Sequence, residues 1–201
     1  TVSTPEDGEL EPEPTTDVKG GEPKEPRASE PVLEEKHLTF QENQKGISFD
    51  GLFGAYLKGA SEITVTDPYI RLFYQIRNFM EFLEAIVKNK AEEDEMAVHL
   101  VTVRDEFKGD LQDESFEKIQ ESARTVGIDF TWEFDESGTI HARHIVTDHG
   151  WKISLDRGLD IFQHYEMNEA FAFANRLQRF RSSKAFEVTF IKQKPNGTEG
   201  E

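Results

Sequence analysis

The chain has 201 residues, with 40 Asp and Glu against 23 Lys and Arg and a formal net charge of −17. That balance excludes indiscriminate adhesion to nucleic acid or anionic lipid, both of which reward basic surface. The lack of cysteine excludes disulfides, thiolate metal sites and thiol nucleophiles, and no apolar run approaches the ~20 residues of a membrane span.

Residues 1–36 hold six of the eight prolines, eleven acids against four bases, and no aromatic residue. Such a segment buries too little apolar surface to offset its chain entropy and is expected to be a disordered acidic linker. A compact domain is expected over 37–192, followed by a disordered tail at 193–201. The chain starts at Thr1 rather than Met, which suggests a piece of something larger. With no signal peptide visible, the expected location is cytoplasmic.

Within the domain, Ser48 can cap a helix that carries Phe49, Leu52, Phe53, Tyr56 and Leu57 on one face and ends at Gly59. Glu62 to Thr66 reads as a short strand stopped by Asp67-Pro68. Leu72, Phe73, Ile76, Phe79, Met80, Leu83, Ile86 and Val87 recur at three and four, the clearest amphipathic helix in the chain. Val98 to Val103 reads as a buried strand. Phe116, Ile119, Ala123 and Val126 mark a second helix closed by Gly127. The strict alternation of Ile128, Phe130, Trp132 and Phe134 follows as a half-buried strand.

Ile140 to Thr147 and Trp151 to Leu155 are expected to pair across the turn Asp148-His149-Gly150. Met167 to Arg181 is expected to be helical, with Ala170, Phe171, Ala174 and Leu177 inward. Phe186, Val188 and Phe190 form the last strand. Alternating strands and helices predict an α/β fold, a mixed sheet with helices on its faces and the 140–147 strand near its centre.

The segment IHARHIVTDHGWKISLDRGLDIF, residues 140–162, holds His141, Arg143 and Asp148 in the spacing H-x-R-x-x-x-x-D. A second segment, ITVTDPYIRLFYQIRNFMEFLE, spans residues 63–84. The first resembles the H-x-K-x-x-x-x-D signature of the phospholipase D superfamily, with Arg in place of Lys. Together the two resemble the phospholipase D-like domain at the C-terminus of MIT-domain proteins of membrane trafficking, through D-P-Y-I-R, Y-Q, N-F and the G-W…R-G-L-D run. The stretch from His37 to Lys192 also looks like the C-terminal domain of the Lon-like proteins of bacterial BREX phage-defence systems.

The resemblance implies a phospholipase D-like fold, with His141 at the nucleophile position, Arg143 as phosphate clamp and Asp148 as supporting acid. A strand at 140–147 would point His141 and Arg143 to one face, and Arg retains bidentate anion binding. Active enzymes of this superfamily use two such motifs, whereas this chain has one, so hydrolysis would need a second copy. No catalytic residue is therefore expected to act within a single chain.

Lys152 and Arg157 either extend the anion pocket or lie on an ordinary solvated strand face. Asp67, Tyr69 and Arg71 sit where a strand ends and a helix begins, a ligand-binding position in open α/β sheets; the alternative is a turn and cap. Arg176, Arg179, Arg181 and Lys184 form a late basic cluster, either a contact for nucleic acid or an acidic partner, or a solvated face. His141, His144, His149 and Asp148 match no standard zinc spacing, so no metal is expected.

No G-x-x-x-x-G-K-[ST] loop is present, so no cofactor is expected in this chain, while the Lon-like resemblance implies a parent that uses ATP and Mg. The favoured expectation is a non-catalytic recognition or assembly domain. Its expected partners are its own subunits and, in addition, DNA or a substrate protein, with a membrane disfavoured by the acidic balance. A dimeric phosphodiesterase or nuclease is the first alternative. A phosphoinositide or membrane-surface binder is the second.

Overall fold

The computed structural model describes residues 32–193. The linker and tail expectations for residues 1–31 and 194–201 lie outside those residues. Seven described strands form one mixed sheet: β1 (Lys36–Phe40), β2 (Glu62–Thr66), β3 (Met96–Thr102), β4 (Ile128–Phe134), β5 (His144–Thr147), β6 (Trp151–Leu155) and β7 (Phe186–Lys192). Their order across the sheet is β1-β7-β6-β5-β2-β3-β4. The pairs β2–β3 and β3–β4 are parallel, and every other pair is antiparallel.

Three longer helices cover one face: α1 (Phe49–Leu57), α2 (Phe73–Asn89) and α3 (Gly109–Arg124). The sequence suggested helices on its faces; the described helices share a single side. The topology explains this. β2, β3 and β4 step in one direction across the sheet, and crossover connections are right-handed, so α2 and α3 must fall on the same side. Tyr56 of α1 joins them there, its ring 4.3 Å from Phe190 and 4.9 Å from Trp151. Phe79 of α2 lies 5.2 Å from Phe130, and Phe116 of α3 lies 6.1 Å from the same ring. Phe49, Phe53, Phe79, Phe82, Phe116, Phe130, Phe186 and Phe190 are fully buried in this layer. The alternate residues Thr64, Thr66, His144, Val146, Lys152 and Ser154 point to the other face, which carries no described helix.

The Ser48 cap forms as expected, its hydroxyl accepting from the Gly51 amide at 3.0 Å. β1 is an edge strand that periodicity did not single out. The residues before it are tied down as well: Glu34 carbonyl accepts from Tyr56 hydroxyl, and Glu35 carboxylate accepts from Lys192 amide.

Two expected elements are shorter than drawn. The strand expected from Ile140 begins only at His144, because β2 ends at Thr66 opposite His144 and Pro68 forbids its extension. Beyond His144 the chain has lost one neighbour. The helix expected over 167–181 is reduced to α4 (Phe173–Arg176) and a 3₁₀ turn at Gln178–Phe180. Asn175 breaks it: its amide donates to the carbonyls of Met167 and Glu169, both at 2.7 Å, in place of a helical ladder. Phe171, expected inward, is 96% exposed.

Candidate functional site

Asp67 follows β2 directly, and the chain then turns into α2 by way of Pro68, Tyr69 and Ile70. A cavity of about 190 Å³ opens there, walled by Asp67, Tyr69, Asn78, Arg143, Arg157 and Asp160 among others. The strand-end position expected from open α/β sheets is thus a real concavity.

Asp67 is only 4% exposed, and its Oδ1 accepts from the Tyr69 amide at 2.9 Å. Burial raises its pKa above the ordinary carboxylate value, against the lowering pull of the Tyr69 amide and the Arg143 charge. Gly158, at φ +60°, makes room for it: a Cβ there would fall deep inside contact distance of Asp67 Oδ2.

Arg143 reaches the cavity from the residue before β5. Its Nη1 donates to the Asp156 carbonyl at 2.6 Å, and its guanidinium lies 4.2 Å above the centre of the Tyr69 ring. Its Nε is buried without a partner. Arg157 follows β6, and its Nε donates to the Ala185 carbonyl at 2.7 Å. That bond leaves the two terminal nitrogens of Arg157 without a hydrogen bond among the described residues. Two oriented guanidiniums at one cavity can hold an oxyanion by paired N–H donors.

The other motif residues are elsewhere. His141 is exposed in the loop before β5 and does not line the cavity. Asp148 lies at the opposite end of β5, roughly 16 Å along the strand from Arg143 at the usual rise per residue. Its carboxylate accepts from the Ser61 amide and hydroxyl. Burial, the largest influence on Asp148, raises its pKa, but the Ser61 and Glu62 hydrogen bonds outweigh it and hold the group below the ordinary carboxylate value. His141, Arg143 and Asp148 are therefore not brought together within one chain.

Lys152 is paired with Val146 on the open face, beside His144, and Arg71 stacks on Tyr69 outside the cavity walls. The late basic cluster divides. Arg181 is buried and holds Glu81 through two bonds of 2.6 and 2.9 Å, and Lys184 pairs with Asp160 at 2.8 Å. Arg176 and Arg179 stay exposed. His141, His144 and His149 occupy a loop, the open face and a turn, and no three metal-ligating side chains converge among the described residues.

Sequence reasoning missed Asn78, Gly158 and Asp160. Asn78 had a signal: it is a lone amide among Ile76, Phe79 and Phe82 on the apolar side of α2.

Residues 46–192 match the family described as "Phospholipase D-like domain at C-terminus of MIT". The chain belongs to that family. A relative is MIT domain-containing protein 1 of Mus musculus, 35% identical over 130 residues, which are 64% of this chain and 51% of the relative. The chain thus spans about half the length of the curated relative it matches. For this phospholipase D-like domain the consequence is geometric. The cavity takes in Arg143 of the H-x-R-x-x-x-x-D segment, while His141 and Asp148 of that segment stand apart from it.

Proposed function

We propose that this phospholipase D-like domain is a non-catalytic recognition module that holds a phosphate-type anion between Arg143 and Arg157. One observation carries the reading: the two guanidiniums line a single cavity, while His141 lies outside it and Asp148 is engaged by Ser61.

Titration of the full chain with inorganic phosphate and with a model phosphodiester tests it. Arg143→Ala is expected to lose on the order of 1.5–3 kcal/mol of phosphate affinity, the worth of a charge-assisted hydrogen bond. His141→Ala leaves binding unchanged, and the protein shows no turnover. Turnover that disappears with His141→Ala would replace this reading with the phosphodiesterase, with a second copy supplying the partner motif.

The parent is proposed to be a larger protein that carries this module at its C-terminus. The resemblance of His37–Lys192 to Lon-like proteins of phage-defence systems supports an ATP- and Mg-using parent, assembled from its own subunits and contacting DNA or a substrate protein in the cytoplasm.

The membrane-surface reading has one observation in its favour: Phe171 and Phe173 are 96% and 71% exposed beside Arg176 and Arg179. Co-sedimentation with anionic-lipid vesicles, lost in Phe171→Ser with Phe173→Ser, would establish it.

A further inference from the structure

The cavity at Arg143 does not end at Asn78. A second chamber of about 260 Å³ lies beyond, walled by Tyr74, Phe162, Tyr165 and Met167, and both Asn78 and Asp160 line both chambers. We propose that the two chambers together take a nucleoside monophosphate, with the phosphate at Arg143 and Arg157 and the base in the second chamber against Asn78. The proposal rests on the anion-binding reading above and gives that anion its remaining parts.

Asn78 is the observation that points to a ligand. It is 6% exposed, lines both chambers, and its side-chain amide takes part in no hydrogen bond among the described residues. Buried amides are normally satisfied, so an unmet one facing a cavity marks a place for an outside partner. The other polar groups of the chamber are engaged. Gln163 donates to Asn43 and to the Ser183 carbonyl, Lys184 holds Asp160 at 2.8 Å, and His164 lies 3.7 Å from Glu166. An Asn amide offers one donor and one acceptor side by side, the pattern that reads the N6/N7 edge of adenine. Tyr74, 38% exposed, supplies ring surface of the kind on which a base stacks, and Phe162 forms an apolar wall behind it.

The charge distribution selects against a polyphosphorylated polyol. Among the described residues that line the chambers, free guanidinium nitrogens lie at the Arg143–Arg157 end, and the lysine of the second chamber is paired with Asp160. An uncharged flat group suits that chamber better than a second phosphate does. Asp160 keeps acceptor capacity toward both chambers, where it can meet a ribose hydroxyl. Together the chambers reach the size of ordinary small-molecule sites.

Calorimetric titration of the full chain with adenosine monophosphate, inorganic phosphate and inositol 1,4-bisphosphate tests the proposal, alongside Asn78→Leu. Adenosine monophosphate should bind about tenfold or more tighter than phosphate, and Asn78→Leu should remove that advantage. The melting temperature of Asn78→Leu should be unchanged or raised, because an unmet buried amide is replaced by an apolar group of similar size.

If Asn78→Leu fails to fold, Tyr74→Ala at the half-open rim carries the expectation of a weaker nucleotide and an unchanged phosphate. Phosphate binding without any preference for the nucleotide overturns the inference and leaves the anion reading intact. So does tighter binding of inositol 1,4-bisphosphate. Failure of phosphate itself to bind overturns both.

Discussion

Gly158→Ala is the sharpest test of how the cavity is built. Gly158 sits at φ +60°, a left-handed conformation that costs an L-residue roughly 1–2 kcal/mol. Its new Cβ would also lie 2.9 Å from Asp67 Cγ and 3.1 Å from Arg143 Cδ. Asp67 is buried, and moving it breaks the bond from the Tyr69 amide, a further loss of about 1–3 kcal/mol. The expected total is about 2–5 kcal/mol of unfolding free energy, read by urea denaturation with an unchanged m-value. In an Asp67→Ala background the carboxylate is gone, so Gly158→Ala should cost only the roughly 1–2 kcal/mol of backbone strain. An equal cost in both backgrounds would refute the contact as the cause. A total below about 0.5 kcal/mol would refute the turn geometry itself.

Glu81→Ala should destabilise the domain by about 3–5 kcal/mol, because it leaves the buried Arg181 guanidinium unpaired; replacing Arg181 and Glu81 together by apolar residues should recover much of that loss in the same denaturation assay. His144 titrates with the opposite consequence to a salt-bridged histidine. Burial, aided by the Lys152 charge, holds its imidazole below the ordinary value of 6.5, so the folded state resists its protonation. Stability is therefore unaffected above 6.5 and falls as the pH is lowered through it, since the unfolded chain takes up the proton first. His144→Val should flatten that limb of the stability–pH curve, Lys152→Gln should soften it, and identical slopes in the wild type and His144→Val would rule the assignment out.

Where a physical period ran unbroken, the sequence was enough. The spacing of Ile76, Phe79 and Leu83 marked α2, and the alternation Ile128–Phe134 marked β4, because each buries one face against a single neighbour layer. Residues 167–181 carried a helical pattern too, yet Asn175 diverts the local carbonyls and no sheet surface receives Phe171. Periodicity cannot register a competing side-chain bond. The site shows the same division. Asp67, Tyr69, Arg143 and Arg157 were legible from motif and strand-end position, and they do share a cavity. His141 was placed beside Arg143 by assuming a strand that Pro68 cuts short on its neighbour. For Lys152 the sequence leaves the pocket and a solvated strand face both open, since it does not reveal register, and the pairing with Val146 turns it to the face opposite the cavity. Asp160 and Gly158 depend on a turn that brings residues 67 and 158 into contact, a meeting that no local pattern encodes.

The pairing of β1 with β7 has a consequence for how the chain is made. His37 meets Thr189 across 152 residues of sequence, and β1 has no other neighbour among the described strands. During synthesis the first strand therefore emerges long before the strand that will accept it. The β2–β3–β4 half, joined by local crossovers, can assemble while β1 still trails unpaired. Once made, β7 completes the sheet from two sides at once, pairing with β6 and supplying the edge to which β1 adds. A ribosome stalled before Phe186 would thus hold a chain whose aromatic Leu38–Phe40 stretch has nowhere to dock, and that stretch is the place where a chaperone would be expected to bind first.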